Sequence, residues 1–431
     1  MKRPSECDSV EHVVSRRSLL GTMAAAAAAA GTVGLSCAPE ELVAETLKAN
    51  RKQVLFIWLD GAMSQLESWD PKPNTEFGGP FRAIQSSIPG VQVSELLPHT
   101  AQQMKHLSLV RNLHTRFEDH SRAVTPVQQG DPKNRGVQYP FLGSAVAKFL
   151  GDGGSGLPPY VHIKPGSGGF HFKDAGFLGA KYGALALGDG RPPANLIRPD
   201  SITDTADADR NTLRKNANRR FANRRNTEQS EAYDYTYRLA SQLMKRRDLF
   251  DSSTFKPKDV ERYGTHAFGR HLLLAKRFLE QGTTFVKVTM YHWDTHADNF
   301  NFHYDLVGQF DRPFAALMED LSASGMLEHT IVVVCSEFGR TPKISQKVGR
   351  DHWPEAWSLC LGGAGLAKGA VIGKTNAKGT WVEGDELDMG HVFHTLFHAI
   401  GVDSKQREYI NDGQPLPIAH DDHEPIRELL T

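Results

Sequence analysis

Three short β-rich apolar runs each end on residues that bind cations or protons, and this feature constrains the fold more than any other. "QVLFIWLDG" runs into Asp60. "TTFVKVTM" runs into "WDTHADNF", with Asp294 and His296. "TIVVVC" runs into "SEFGRTP", with Glu337 and Arg340. Runs of this length and composition read as buried strands. Helical patterns alternate with them: "HTAQQMKH", "DHSRAVTPVQQG", "YPFLGSAVAKFLG", "THAFGRHLLLAKRFLEQG", "YDLVGQFDRPFAALMEDLSASG" and "DMGHVFHTLFHAIGV". Strand–helix alternation specifies an α/β class with a largely parallel sheet. In such sheets ligands bind beyond the carboxyl ends of the strands, which is where these polar residues fall. "LSLVRNL" and "SLCLGG" read as further strands. The Gly- and Pro-rich stretch 151–200 reads as loops around one short strand, "YVHI".

The N-terminus reads as an address. Arg16 and Arg17 precede a small-residue apolar run, "GTMAAAAAAAGTVGLSCA". A basic segment followed by an apolar one is a signal-peptide pattern, and paired arginines mark the twin-arginine route. Residues 1–38 are therefore expected to direct export by the twin-arginine machinery. Residues 39–52 form a polar linker, and the fold begins near Gln53. The expected location is periplasmic or extracellular, with no membrane span in the mature form. Lipid anchoring at Cys37 is disfavoured by Leu35, where a small residue is usual.

Charge and cysteine usage narrow the function classes. Acidic and basic residues balance at 50 each, which argues against a nucleic-acid partner. The charged segment 205–250 reads as an exposed helical insertion. Four cysteines give no disulfide framework. Cys335 and Cys360 fall inside strands and read as small hydrophobes.

The candidate site gathers polar residues from just beyond the strand ends. A carboxylate at the end of a buried strand, such as Asp60, needs a partner or a cation; the alternative is a turn cap with Gly61. Asp294 and His296 stand at i and i+2, on one side of an extended segment, and suit a metal. His292 and Asp298 are nearby alternatives, and His303 is expected at the surface. Glu337, Asp351 and His352 supply further ligand types. Arg340 or Arg350 serves either to position an oxyanion or to brace the loop. This donor set suits one or two divalent cations: zinc, manganese, magnesium or calcium.

"LFIWLDG", "DGAMSQLESWDPKP", "VERYG", "WDTHADNF", "SEFGRTPK", "GRDHWP" and "EPIRELL" together span nearly the whole mature chain. On these motifs the sequence resembles the alkaline phosphatase/sulfatase superfamily. It most resembles the twin-arginine-exported, sulfatase-like family known as domain of unknown function 1501. The resemblance implies an alkaline phosphatase-like fold, a central mostly parallel sheet with helices on both faces. It implies metal roles for Asp60, Asp294, His296, Glu337, Asp351 and His352. A nucleophile is expected at a helix start, where Ser121 has the right chemistry and His120 the nearer slot. Phe338 replaces a superfamily His, and no sulfatase CxPSR motif is present. The implied function is an exported metal-dependent hydrolase of a phosphate or sulfate ester, with a small-molecule or glycan substrate. The alternative is a hydrolytically inactive, metal-stabilised binding protein for anionic glycans or other anionic ligands.

Overall fold

The computed structural model describes residues 52–431 apart from 131–132, 194–195 and 223–227. The twin-arginine segment, Cys37 and most of the linker lie outside the described residues.

A nine-stranded sheet organises the chain. Its order is Val371–Ile372, Leu107–Leu113, Trp357–Gly363, Thr330–Cys335, Gln53–Leu59, Phe285–Met290, Tyr160–Lys164, Ala184–Gly188 and Gly169–His171. Gln53–Leu59 is central and parallel to both neighbours. All seven of its residues are buried, because helices cover both faces. Period-two alternation divides its side chains between two cores. Leu55, Ile57 and Leu59 pack with Leu272 and Phe278 of the Ala267–Glu280 helix and with Phe310 and Phe314 of the Asn299–Ala323 helix. Val54, Phe56 and Trp58 pack with Val146 and Phe149 of the Leu142–Leu150 helix and with Phe393 and Phe397 of the Met389–Ala399 helix. Each large apolar side chain so buried contributes roughly 1.5–3 kcal/mol of transfer free energy.

Trp357–Gly363 and Gly169–His171 run against the rest of the sheet. The reversal of Trp357–Gly363 matters for the site. Its first residue lies at the edge where its neighbours end, so the chain just before it, including His352, is delivered there.

Two expectations are corrected. The 151–200 region is more than loops around "YVHI": it adds the strands Gly169–His171 and Ala184–Gly188. "ALALG" is a buried run of small and apolar residues whose flanking glycines and prolines mask it in the sequence. His303 is fully buried, not at the surface. It accepts from the Ser64 amide at 3.0 Å, and burial lowers its pKa to about 4. Cys335 and Cys360 are buried free thiols, as their strand positions suggest. Helices Asp204–Ala222 and Glu228–Lys245 occupy the charged segment. No helix among the described residues is long and apolar enough to cross a membrane.

Candidate metal centre

The loops after Gln53–Leu59, Phe285–Met290 and Thr330–Cys335 meet at one edge of the sheet. They are joined by the approach to Trp357 and by the start of the His120–Gln129 helix. Alternation persists past the strand Phe285–Met290. Trp293 and Thr295 are buried while Asp294 and His296 are exposed on the other side. Close approach demands glycine at one position here. Gly61 has φ +103°, and a Cβ on it would lie 2.5 Å from the Asp294 amide nitrogen. Its own N–H donates to Glu337 Oε1 at 3.0 Å.

Two buried arginines brace the loop. Arg340 is fully buried. It donates to the Gly61 carbonyl, to the Ala62 and Arg350 carbonyls at 3.0 and 3.2 Å, and to Asp294 Oδ1 at 2.6 Å. Its guanidinium is thus committed to the protein and reaches the site only through Asp294. Arg350 pairs with Glu67 at 2.7 Å, both side chains being 0% exposed. It also donates to the carbonyls of Thr341, Pro342 and Phe77. Five donors in a rigid fork let each arginine tie several carbonyls at once.

At the centre, three imidazoles surround one carboxylate oxygen. Nε2 of His120, His296 and His352 lie 3.3, 3.0 and 3.2 Å from Asp294 Oδ1. The Nε2 atoms of His296 and His352 are 3.0 Å apart. Each ring is held from behind at Nδ1. His120 meets Glu337 Oε1 at 2.6 Å, and His296 meets Asp351 Oδ1 at 2.6 Å. His352 meets the Glu118 carbonyl. An acceptor behind Nδ1 fixes the proton there and leaves Nε2 with its lone pair forward. In the neutral tautomers, three lone pairs and a carboxylate oxygen then face each other. That arrangement requires positive charge at the centre.

Protons can supply part of that charge. The Glu337 hydrogen bond holds the His120 pKa above its ordinary value, against burial. Burial pushes His352 the other way, so it resists protonation. Asp294 is ionised: burial would raise its pKa, but the bond from Arg340 and the neighbouring His120 and His296 hold it far below the usual carboxylate range. A divalent cation would satisfy His120, Asp294 and His352, whose donor atoms lie within 4.8 Å of one another, with His296 beside them against Asp294 and His352. Glu337 adds a second sign. Its Oε2 is buried without a hydrogen-bond partner, and burial, with like charge from Asp60, raises its pKa against the pull of His120.

His120, Asp294, His296 and His352 are therefore brought together with their donor atoms facing inward. Glu337 and Asp351, named in the sequence as direct ligands, stand behind the imidazoles as their orienting acceptors. Asp60 stands beside Glu337 and accepts from Trp58 Nε1 at 2.8 Å. Ser121 is not drawn in: its hydroxyl donates to Asp119, the cap of its own helix. One residue along a helix start turns a side chain by roughly 100°, which separates His120 from Ser121. His292 is exposed, and Asp298 Oδ1 accepts from Asn301 at 2.8 Å. Sequence reasoning missed a separate group, Asp388, His391 and His423, whose donor atoms lie within 4.8 Å of one another. Its available signal was "DMGH" at a helix start together with "HDDH" near the C-terminus.

A family model described as "Protein of unknown function (DUF1501)" matches residues 51–430. No curated protein matches the chain. Solved structures with similar folds include the lipoteichoic acid synthase LtaP from Listeria monocytogenes, at 9% identity over 88% of this chain and 81% of that one, TM-score 0.37. The PsFucS1 sulfatase from Pseudoalteromonas sp. matches at 13% identity over 84% and 72%, TM-score 0.37. A phosphonate monoester hydrolase of Agrobacterium radiobacter matches at 9% over 88% and 77%, TM-score 0.39. Likeness at this level carries no argument about the reaction.

Proposed function

We propose that this chain, which belongs to the DUF1501 family, is an exported metal-dependent hydrolase of phosphate or sulfate esters. The observation that carries the reading is the convergence of three Nε2 atoms on Asp294 Oδ1, each ring tied at Nδ1 by an acceptor. Three imidazoles and one carboxylate suit zinc and similar borderline ions better than magnesium or calcium, which favour oxygen. When bound, such an ion polarises an ester oxygen and lowers the pKa of a water.

The chain's own residues do the rest. His120, His296, His352 and Asp294 hold the ion, while Glu337 and Asp351 fix the ring tautomers. Glu337 Oε2, buried and unpaired, is placed to take or give a proton beside His120. Water is the attacking group in this reading, because the Ser121 hydroxyl is turned to Asp119. The ester class is supported by the order of motifs, "LFIWLDG", "WDTHADNF", "SEFGRTPK" and "GRDHWP", which resembles the alkaline phosphatase/sulfatase order. Export is supported by Arg16 and Arg17. Replacing both with lysine should hold the precursor in the cytoplasm, read by cell fractionation.

The test is elemental analysis of the full chain purified without a metal-affinity tag, together with phosphate and sulfate ester assays. His352→Ala and Asp294→Ala should each lose about one metal equivalent, and ester turnover should fall at least about a hundredfold. Full metal content and activity in both variants would overturn the site. Metal lost from both, with no turnover by the loaded wild type on either ester, would leave a binding protein for anionic ligands.

A further inference from the structure

We propose a second, independent metal site at the start of the Met389–Ala399 helix, built from Asp388, His391 and His423 and taking a zinc-like divalent ion. Donor atoms of these three residues lie within 4.8 Å of one another. Their side chains are 19, 23 and 17% exposed, so the group is sheltered yet open to an ion.

The two carboxylate oxygens of Asp388 are divided. Oδ1 caps the helix, accepting from the Gly390 and His391 amides at 2.8 and 3.4 Å. Oδ2 lies 2.7 Å from His423 Nε2. His423 Nδ1 is held in turn at 2.8 Å from His420 Nδ1. The three rings stack edge to face, with centroids 4.2 Å apart for His391–His423 and 4.0 Å for His420–His423. Arg116 approaches the far side of His420, 3.4 Å from Nε2.

His423 thus presents Nε2 to the Asp388 carboxylate at 2.7 Å and Nδ1 to His420. The capping box holds His391 against the same carboxylate: its Nδ1 accepts from the Asp388 N–H at 3.2 Å and lies 3.1 Å from Asp388 Oδ1. With both imidazoles held there, a metal would take one carboxylate oxygen of Asp388 and a ring nitrogen each of His391 and His423, donor atoms brought from two distant parts of the chain to within 4.8 Å of one another. His420 is a positioning residue here, orienting His423 through Nδ1.

The ion would pin the C-terminal segment to the helix start. That start is fastened to the sheet edge of the first site. His114 N–H donates to the Leu387 carbonyl at 2.7 Å and Leu387 N–H to the Asn112 carbonyl at 2.9 Å. The short loop beyond His114 leads to His120.

The experiment loads the full-length protein with zinc, desalts it, and counts metal in wild type, His352→Ala and His423→Ala. The wild type should hold about two equivalents and each variant about one, since the ligands do not overlap. Cobalt substitution gives a second readout: the visible bands of the second ion should vanish in His423→Ala and persist in His352→Ala. Should His423→Ala fail to fold, Asp388→Asn keeps an N-cap acceptor while removing the ligand charge, and should lose the same equivalent. One equivalent lost only in His352→Ala would overturn the second site and leave the first. One equivalent lost only in His423→Ala would do the reverse. His423 with a proton and no metal would show full stoichiometry in His423→Ala, and that result overturns the proposal.

Discussion

Two histidine clusters stand at one edge of the sheet and are built in opposite ways. The Asp294 cluster gathers side chains from separate strand ends, and its geometry is held by Arg340 and Arg350 buried beneath it. The Asp388 cluster hangs on one helix cap and one C-terminal turn, with the capping box as its scaffold. The first is braced from below by buried charge; the second is pinned from the side by hydrogen bonds already needed to start a helix. A third group, His162, His171 and Asp174, meets the same spacing and shows what spoils such a set. Lys287 is buried beside it, paired in register with His162, and its ammonium donates to Gln128 Oε1. Burial first and Lys287 second push the His162 pKa well below normal. A cation already resident opposes a second one, so spacing alone does not make a metal site.

The contrast between the two supports is greatest at Glu67. Glu67→Ala strands Arg350 as an unpaired buried charge, which should cost about 3–5 kcal/mol of unfolding free energy in a denaturant titration. His391→Ala removes only half of a capping box and should cost about 1 kcal/mol. Equal costs would mean the two clusters are not supported differently.

Next in size is a pH effect at the third group. Burial lowers the Lys287 pKa from 10.5 to about 8. Between those values the folded protein has released the proton and the unfolded chain still holds it. Stability should therefore rise with pH across that window, by up to roughly 3 kcal/mol. Lys287→Met should flatten the rise, read by unfolding at pH 7.5, 9 and 10.5. A slope unchanged in the variant would place the proton elsewhere.

A smaller change is expected at the acceptors behind the rings. Asp351→Asn should weaken metal binding at the first centre about 10–100-fold, the usual cost of losing the group behind a ligating histidine. Competition with a chelator measures it, and the His423-dependent ion should not respond. A complete loss of the first ion would make Asp351 a direct ligand.

The edge of the site was legible in the sequence and its interior was not. Asp60, Asp294 and Glu337 stand out because they closely follow short β-rich apolar runs, and "GRDHWP" marks His352. Which carboxylate faces the centre and which faces the back of an imidazole depends on ring orientation, and no spacing encodes that. Arg340 reads equally as an anion grip or a brace until its burial is known. Ser121 was offered beside His120 because both open the same helix; only the turn of the helix separates them. The fold was readable where strands were long and apolar. It was hidden at Ala184–Gly188, where a short run sits among turn residues, and at Asp388, where an ordinary helix cap conceals a ligand set.

The reversed strand Trp357–Gly363 has an evolutionary corollary. Adjacent antiparallel strands can be joined without a crossover helix, so the segment from Ser336 to Ala356 leaves and re-enters the sheet beside itself. It is one continuous excursion between adjacent strands, and it carries Glu337, Arg340, Arg350, Asp351 and His352 as a block. Its socket is the stretch Gly61–Glu67, which receives Arg340 through carbonyls and Gln65, and Arg350 through Glu67. Recombination between relatives could replace the excursion without changing strand order, provided that excursion and socket travel as a matched pair.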